Sequence, residues 1–307
     1  MTRSVCAIAL LLVVFACSGA VAGASAAAPV VPWTSLRFEA ARLGSRVTLE
    51  VRVDPEPAAP PPAGLWPAVR GEPLRPSGPE VLRLTVIADI EPLGIAPIRM
   101  EGRVWFDPAT GTPLRAARSR KGNDDYVQWF VFGREGVFRR QLEPQDSAQA
   151  AGPTERWTRV SETVYAEPAD AARCPSAPVE TLMLFYLMSN SAAQGVFELA
   201  PRCVFHKRQL HLVRFGTERR ARVAFDYLER RGEAAERRAG SADGVAIRLS
   251  STPVGSYRGE VEPFFRDPQL TVSTDGRVPL AGALEFPVVG RVDLRLTEIR
   301  FESPSSN

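Results

Sequence analysis

Residues 46–53 read Arg46-Val47-Thr48-Leu49-Glu50-Val51-Arg52-Val53, with an apolar side chain at every second position and a polar or charged one between. Successive side chains of an extended strand point to opposite faces. This stretch therefore offers Val47, Leu49, Val51 and Val53 to a core and Arg46, Thr48, Glu50 and Arg52 to water, as a half-buried antiparallel strand does. Just upstream Leu36, Phe38 and Ala40 keep the same period, and Gly44-Ser45 stands where a tight turn would join the two. A β-hairpin from Trp33 to Val53 is expected.

The same alternation recurs along the chain. Leu82, Leu84 and Val86 share one face of 81–88, and strand signals follow at 100–106, 126–132, 137–142 and 157–164. Asp107-Pro108-Ala109-Thr110-Gly111 supplies turn residues between two of them. Beyond Cys203, Leu210 and Leu212 alternate with His211 and Val213, and Ala221, Val223, Phe225 and Tyr227 with Arg222 and Asp226. Val245, Ile247 and Leu249 mark a further strand, and Glu229 to Arg238 is a charge run that reads as a solvated loop or hairpin tip. Leu270 to Ser273, a turn at 274–277 and a strand through Val292, Leu294 and Leu296 close the pattern. After Leu296 the apolar phase passes to Ile299 and Phe301, which predicts a β-bulge near Thr297. The gaps are too short for helical crossovers, so the strands should pair antiparallel. A sheet of this many strands must close, curl or stack. The expected fold is mainly β, a curved antiparallel sheet or half-barrel with one covering helix.

That helix is expected over Pro178–Ser189, with Ser176 as N-cap and Glu180 in the first turn. Leu182, Met183, Phe185, Tyr186 and Leu187 almost encircle it, so it should lie between the sheet and something else. Two readings stand. The helix fills the core, or it is a lid over a ligand cavity lined by Leu182, Phe185 and Tyr186. One stretch is unlike the rest: 54–80 carries nine prolines and is expected to be a protease-sensitive insertion.

The N-terminus combines Arg3, an apolar run over 5–15 and small residues over 18–28, the layout of a secretion signal. Its core falls short of the roughly 20 apolar residues of a membrane span. Ala24 and Ala26 suit cleavage after Ala26; alternatively Val14-Phe15-Ala16-Cys17 resembles a lipobox, with Cys17 acylated and the chain attached to the outer membrane by its lipid. The expected product is residues 29–307, a β-rich mature domain in the periplasm or, if Cys17 is acylated, an envelope lipoprotein. Cys174 and Cys203 are the cysteines clear of this leader, and in an oxidising compartment they should be disulfide-bonded.

The 307 residues carry a formal net charge of +3, with Arg and Lys spread among Asp and Glu, so nothing asks for a nucleic-acid partner; Lys121 and Lys207 are the only lysines among many arginines, a bias that a GC-rich genome explains better than a phosphate-binding role. His206 and His211, five apart, should point to opposite faces of one strand, a poor arrangement for chelation. Asp124-Asp125 follows Lys121-Gly122-Asn123 and reads as a hairpin tip rather than a carboxylate pair. With no metalloprotease motif, nucleophile elbow or phosphate-binding loop, no catalytic residue, metal or cofactor is expected.

Trp105-Phe106-Asp107 running into Thr110-Gly111-Thr112-Pro113-Leu114 matches, in layout, Val272-Ser273-Thr274-Asp275-Gly276 running into Val278-Pro279-Leu280. The second continues through Pro287-Val288-Val289-Gly290-Arg291-Val292. This layout resembles an uncharacterised family of bacterial periplasmic proteins, itself similar to the half-barrel lipoprotein carriers LolA and LolB. The resemblance implies a curved sheet around an apolar cavity closed by helix, with acyl chains inside. The expectation is a non-catalytic envelope protein that binds or carries a lipid, acyl chain or lipoprotein; the alternative is a structural or assembly factor acting through protein contacts.

Overall fold

Arg46–Val53 lies at the centre of the second strand, and the hairpin around it forms as its residues dictate. A computed structural model describes residues 31–60, 64–69, 71–122, 124–165, 174, 178–206, 209–254, 268–275, 277–286 and 289–302. The leader with Cys17, and Ser176, fall outside the described residues.

The elements are β1 (Trp33–Arg42), β2 (Ser45–Pro57), β3 (Glu80–Glu91), β4 (Ile98–Phe106), β5 (Pro113–Lys121), β6 (Tyr126–Gly133), β7 (Gly136–Glu143), α1 (Ser147–Ala151) and β8 (Arg159–Tyr165). They continue with β9 (Val179–Glu180), α2 (Met183–Ala193), β10 (Arg202–His206), β11 (Gln209–Arg231), β12 (Ala234–Val254), β13 (Gln269–Ser273), β14 (Pro279–Phe286) and β15 (Gly290–Phe301). All fifteen strands join one sheet in the order β8-β7-β6-β5-β4-β3-β2-β1-β15-β14-β13-β12-β11-β10-β9. The fold is thus mainly β, one large curved sheet with α2 as its covering helix.

Leu43 and Gly44 turn β1 into β2 with φ of 49° and 79°, the positive pair that a two-residue hairpin matched to strand twist requires. The predicted bulge is present: Arg37 faces Glu298 while Phe38 faces Leu296, so Thr297 is the extra residue, and its hydroxyl donates to the Arg37 carbonyl at 3.2 Å. The phase change read in the sequence is this insertion.

The sheet rolls up, and a ladder between β11 and β15 closes the strands from β11 to β15 into a ring. On the concave side, the ring of Phe205 in β10 lies 6.4 and 6.3 Å from Phe130 and Phe132 of β6 and 5.6 Å from Tyr165 of β8. Glu180 of β9 meets Arg118 of β5. One end of the sheet therefore tucks inside the other, and Leu210, His211 and Val213 are all buried although they alternate in facing. An inner turn of a roll has core on both sides, so both faces of this stretch are covered.

Two pairings are parallel, contrary to the expectation of a wholly antiparallel sheet: β9 with β10, and Leu228–Arg231 of β11 with Glu298–Phe301 of β15. The second follows from length. The β11–β12 hairpin runs 23 and 21 residues, and the shift between Arg220 and Val223, where Arg222 has φ of 54°, lets its distal half reach β15. That half occupies the stretch of β15 beyond Arg295, where the ladder with β14 has ended. The charge run Glu229–Arg238 is thus the end of a hairpin and is itself strand except at the turn residues Gly232 and Glu233.

The proline-rich stretch is shorter than 54–80. Residues 54–57 are strand, with Pro55 opposite Leu82 and Pro57 opposite Glu80. The Ala58 N–H donates to the Pro79 carbonyl at 2.8 Å, so two residues earlier along the ladder each bonded pair recurs at 56/81 and 54/83. Pro55 and Pro57 fall between these, their nitrogens turned away from β3 toward the side where the β1 ladder has ended at Arg52. The strap that follows crosses the convex face of the sheet. Leu74 N–H donates to the Phe132 carbonyl at 2.9 Å, and Trp66 packs edge-on against Trp105 at 5.7 Å, with the Arg115 guanidinium 4.8 Å from the Trp105 ring. Limited proteolysis is expected to spare 54–57 and to cut first between Ala58 and Pro79; mass mapping of the earliest fragments checks this, and a first cut inside β2 or β3 would contradict it.

Candidate ligand cavity beneath helix α2

Helix α2 begins five residues later than the sequence predicts and ends four later. Val179 and Glu180 pair with Val204 and Phe205 instead of starting the helix. The Thr181 hydroxyl donates to the Phe205 carbonyl at 2.9 Å, and one Glu180 oxygen accepts from the Leu182 N–H at 2.6 Å. These bonds draw the chain into the ladder, which outcompetes the first helical turn. Glu180 is not a helix-dipole residue. It is 2% exposed and its other oxygen receives the Arg118 guanidinium, which also stands over the Phe130 ring at 5.5 Å. Burial pushes Arg118 down to about 10. The signal for this pair was a single acid inside an otherwise apolar run.

Within α2 the predicted lining residues separate. Leu182 sits over Gly102 of β4, where a Cβ would collide with its Cδ1. Phe185 stands edge-on to Trp33 at 6.3 Å and to Phe38 at 5.9 Å. Both line a cavity of about 100 Å³, together with Leu184 and Met188 of the helix and residues of β1, β2, β3, β12, β13, β14 and β15. Thr181 and Gln269 supply its polar groups; the remainder of the wall is apolar. Tyr186 is not part of it. One step along the helix turns this ring onto Phe106 at 5.0 Å, 1% exposed, and burial pushes its phenol up to about 12. Leu184 and Met188, adjoining the chosen residues at helical spacing, are the wall positions that periodicity missed.

Cys174 and Cys203 are disulfide-bonded, with Cα atoms 5.5 Å apart, and tie the segment leading to β9 onto β10. The histidines differ from expectation. They lie on two strands of a hairpin in which His206 faces Gln209 and Val204 faces His211, so both rings share a face and stand 6.1 Å apart. Counting five residues along one strand failed because the chain reverses between them. Thr181 Oγ1 lies 3.2 Å from His206 Nδ1, and burial pushes the His211 imidazole down. Among the described residues no group of three or more His, Cys, Asp or Glu side chains is placed to hold a metal ion. Asp125 accepts from the Gly122 N–H at 2.8 Å, a hairpin-tip contact.

No family model matches the chain, and no curated protein sequence matches it. Among solved structures it is similar to a β-barrel-like protein of a domain of unknown function, DUF1849, from Brucella abortus, with 6% identity, a TM-score of 0.45, and coverage of 90% of this chain and 99% of that one.

Proposed function

We propose that this is a non-catalytic exported protein of the cell envelope that takes an alkyl chain, as part of a lipid or lipoprotein, between α2 and the concave face of the sheet. The observation that carries this reading is the cavity wall: Leu182, Leu184, Phe185 and Met188 face Phe38, Val86 and Leu284 across an almost unbroken apolar surface. Such a surface offers dispersion contacts and no hydrogen-bond demand, which suits hydrocarbon. Its 100 Å³ is below the roughly 150 Å³ that admits a benzene ring and the roughly 300 Å³ of small-molecule sites. The arrangement is therefore read as a closed form, with entry requiring α2 to move. The small volume also favours the second reading, an assembly factor whose helix fills the core.

Titration with a fluorescent fatty acid separates the two. The carrier reading expects saturable binding, and expects Phe185→Asp to weaken it at least about tenfold while the chain stays folded, because a carboxylate in a cavity draws in water. No saturable binding by the unsubstituted protein at any acyl length would remove the carrier reading. In a filled core Phe185→Asp instead destabilises by several kcal/mol, on the order of 3 or more.

A further inference from the structure

We infer that a second site, on the face of α2 turned away from the apolar cavity, binds a small zwitterion that carries both an ammonium and a carboxylate, as an α-amino acid does. This inference is independent of the alkyl-chain reading. It rests on a separate cup of about 260 Å³ at the far end of the helix. Leu187, Asn190, Ser191 and Gln194, neighbours on one helical face, form its first wall, whereas Leu182, Leu184, Phe185 and Met188 face the apolar cavity. The second wall is the chain between Val196 and Arg202 that joins α2 to β10.

Hydrogen bonds hold the two walls together. Gly195, with φ of 76°, ends the helix; the Val196 N–H then donates to the Ser191 carbonyl at 2.9 Å, and the Ser191 hydroxyl donates to the Val196 carbonyl at 2.6 Å. The other end of the wall is fixed where Arg202 enters β10 beside the disulfide-bonded Cys203. The helix terminus itself asks for no ligand, because Arg277 already donates to the Ala193 carbonyl at 2.8 Å.

The side chains of the cup do ask for one. Asn190 is 7% exposed, yet its buried Oδ1 has no hydrogen-bond partner among the described residues. An acceptor kept from water without a donor destabilises the fold, and a ligand N–H in the cup removes that cost. Glu198 and Arg202 both line the cup, and among the described residues neither forms an ion pair. A carboxylate and a guanidinium that share one cup without pairing suit the two opposite charges of a single ligand, its ammonium toward Glu198 and Asn190 and its carboxylate on the Arg202 fork. A phosphate would be opposed by Glu198 and a simple amine by Arg202. The space is smaller than the roughly 300 Å³ at which drug-sized sites begin, and Leu187, Val196 and Leu199 leave room for an aliphatic side chain.

Isothermal titration of the whole mature chain with L-alanine and L-valine up to about 10 mM tests this. Saturable binding of at least one is expected, and it should weaken about tenfold or more for propionate, which lacks the ammonium, and for alaninamide, which lacks the carboxylate. Arg202→Gln should weaken it by a similar factor. Asn190→Leu should do so as well, with the urea midpoint unchanged or raised because an unsatisfied acceptor is gone. Should Asn190→Leu impair folding, Arg202→Gln and the two analogues decide. No saturable binding of either amino acid overturns the proposal, and so do analogues that bind as tightly as alanine or an Arg202→Gln variant of unchanged affinity.

Discussion

Replacing Glu180 by alanine is expected to cost the folded protein about 3 to 5 kcal/mol, measured as a drop in the urea midpoint at unchanged slope. The carboxylate is 2% exposed and is the acidic partner of an Arg118 side chain that is itself 20% exposed. Its removal leaves a guanidinium facing Phe130 and takes the acceptor from the Leu182 N–H. Taking both charges out of water is itself costly, so the intact pair is expected to add little beyond satisfying its two members. Arg118 is held down to about 10 by burial, so its charged form is less favoured in the fold than in the open chain. That cost is fully present below pH 10 and is relieved only as pH rises through that value, above the working range. Replacing both partners, Arg118→Met with Glu180→Leu, should therefore recover much of the loss. If the double variant is as unstable as Glu180→Ala alone, the pair stabilises the fold beyond mere mutual satisfaction. If Glu180→Ala costs less than about 1 kcal/mol, water reaches Arg118 and the inner end of the sheet is looser than described.

Reducing the Cys174–Cys203 bond, or replacing both cysteines by serine, should cost about 3 to 4 kcal/mol. The bond closes a loop of 29 residues in sequence, and an unfolded chain freed of it gains the corresponding entropy. The loop contains β9 and α2, so the loss should appear first there: amide exchange in 183–193 should rise before exchange in β2 or β3. The checks are a denaturant titration with and without reductant, and exchange mapped by fragment. Equal protection of α2 with and without the bond would show that the Glu180, Thr181 and Phe205 contacts hold the helix unaided. Cys203 is 0% exposed, so serine there also places a hydroxyl in the core. The reduction experiment, which avoids this, is the one that decides.

The two effects meet at one place, the junction where β9 enters the roll and α2 begins. The ion pair holds it from β5 and the disulfide from β10. An alkyl chain entering beside Leu182 would have to move this junction, so variants that loosen it should also take up ligand faster under the carrier reading.

The strands were legible in the sequence because a sheet writes its faces into every second residue. Val47 to Val53 needed no tertiary partner to declare which side was buried, and the phase shift at Thr297 declared a bulge whose opposite residues, Arg37 and Phe38, lie some 260 positions away. The disulfide was legible because few cysteines compete. What the sequence could not supply is how far the sheet rolls. That depends on accumulated twist over fifteen strands, and it alone decides that Leu210, His211 and Val213 are buried on both faces. It also decides that Arg118 on β5 meets Glu180, 62 residues away, turning a residue that fits the first turn of a helix into the end of a ladder. The helix start moved for that reason. The cavity wall lost Tyr186 for a related one: a nearly all-apolar helix has no preferred face of its own, so its neighbours choose which ring points to the cavity and which to Phe106. Local period determined which residues are strand; only the closure of one end of the sheet inside the other decided where the buried charge and the cavity would lie.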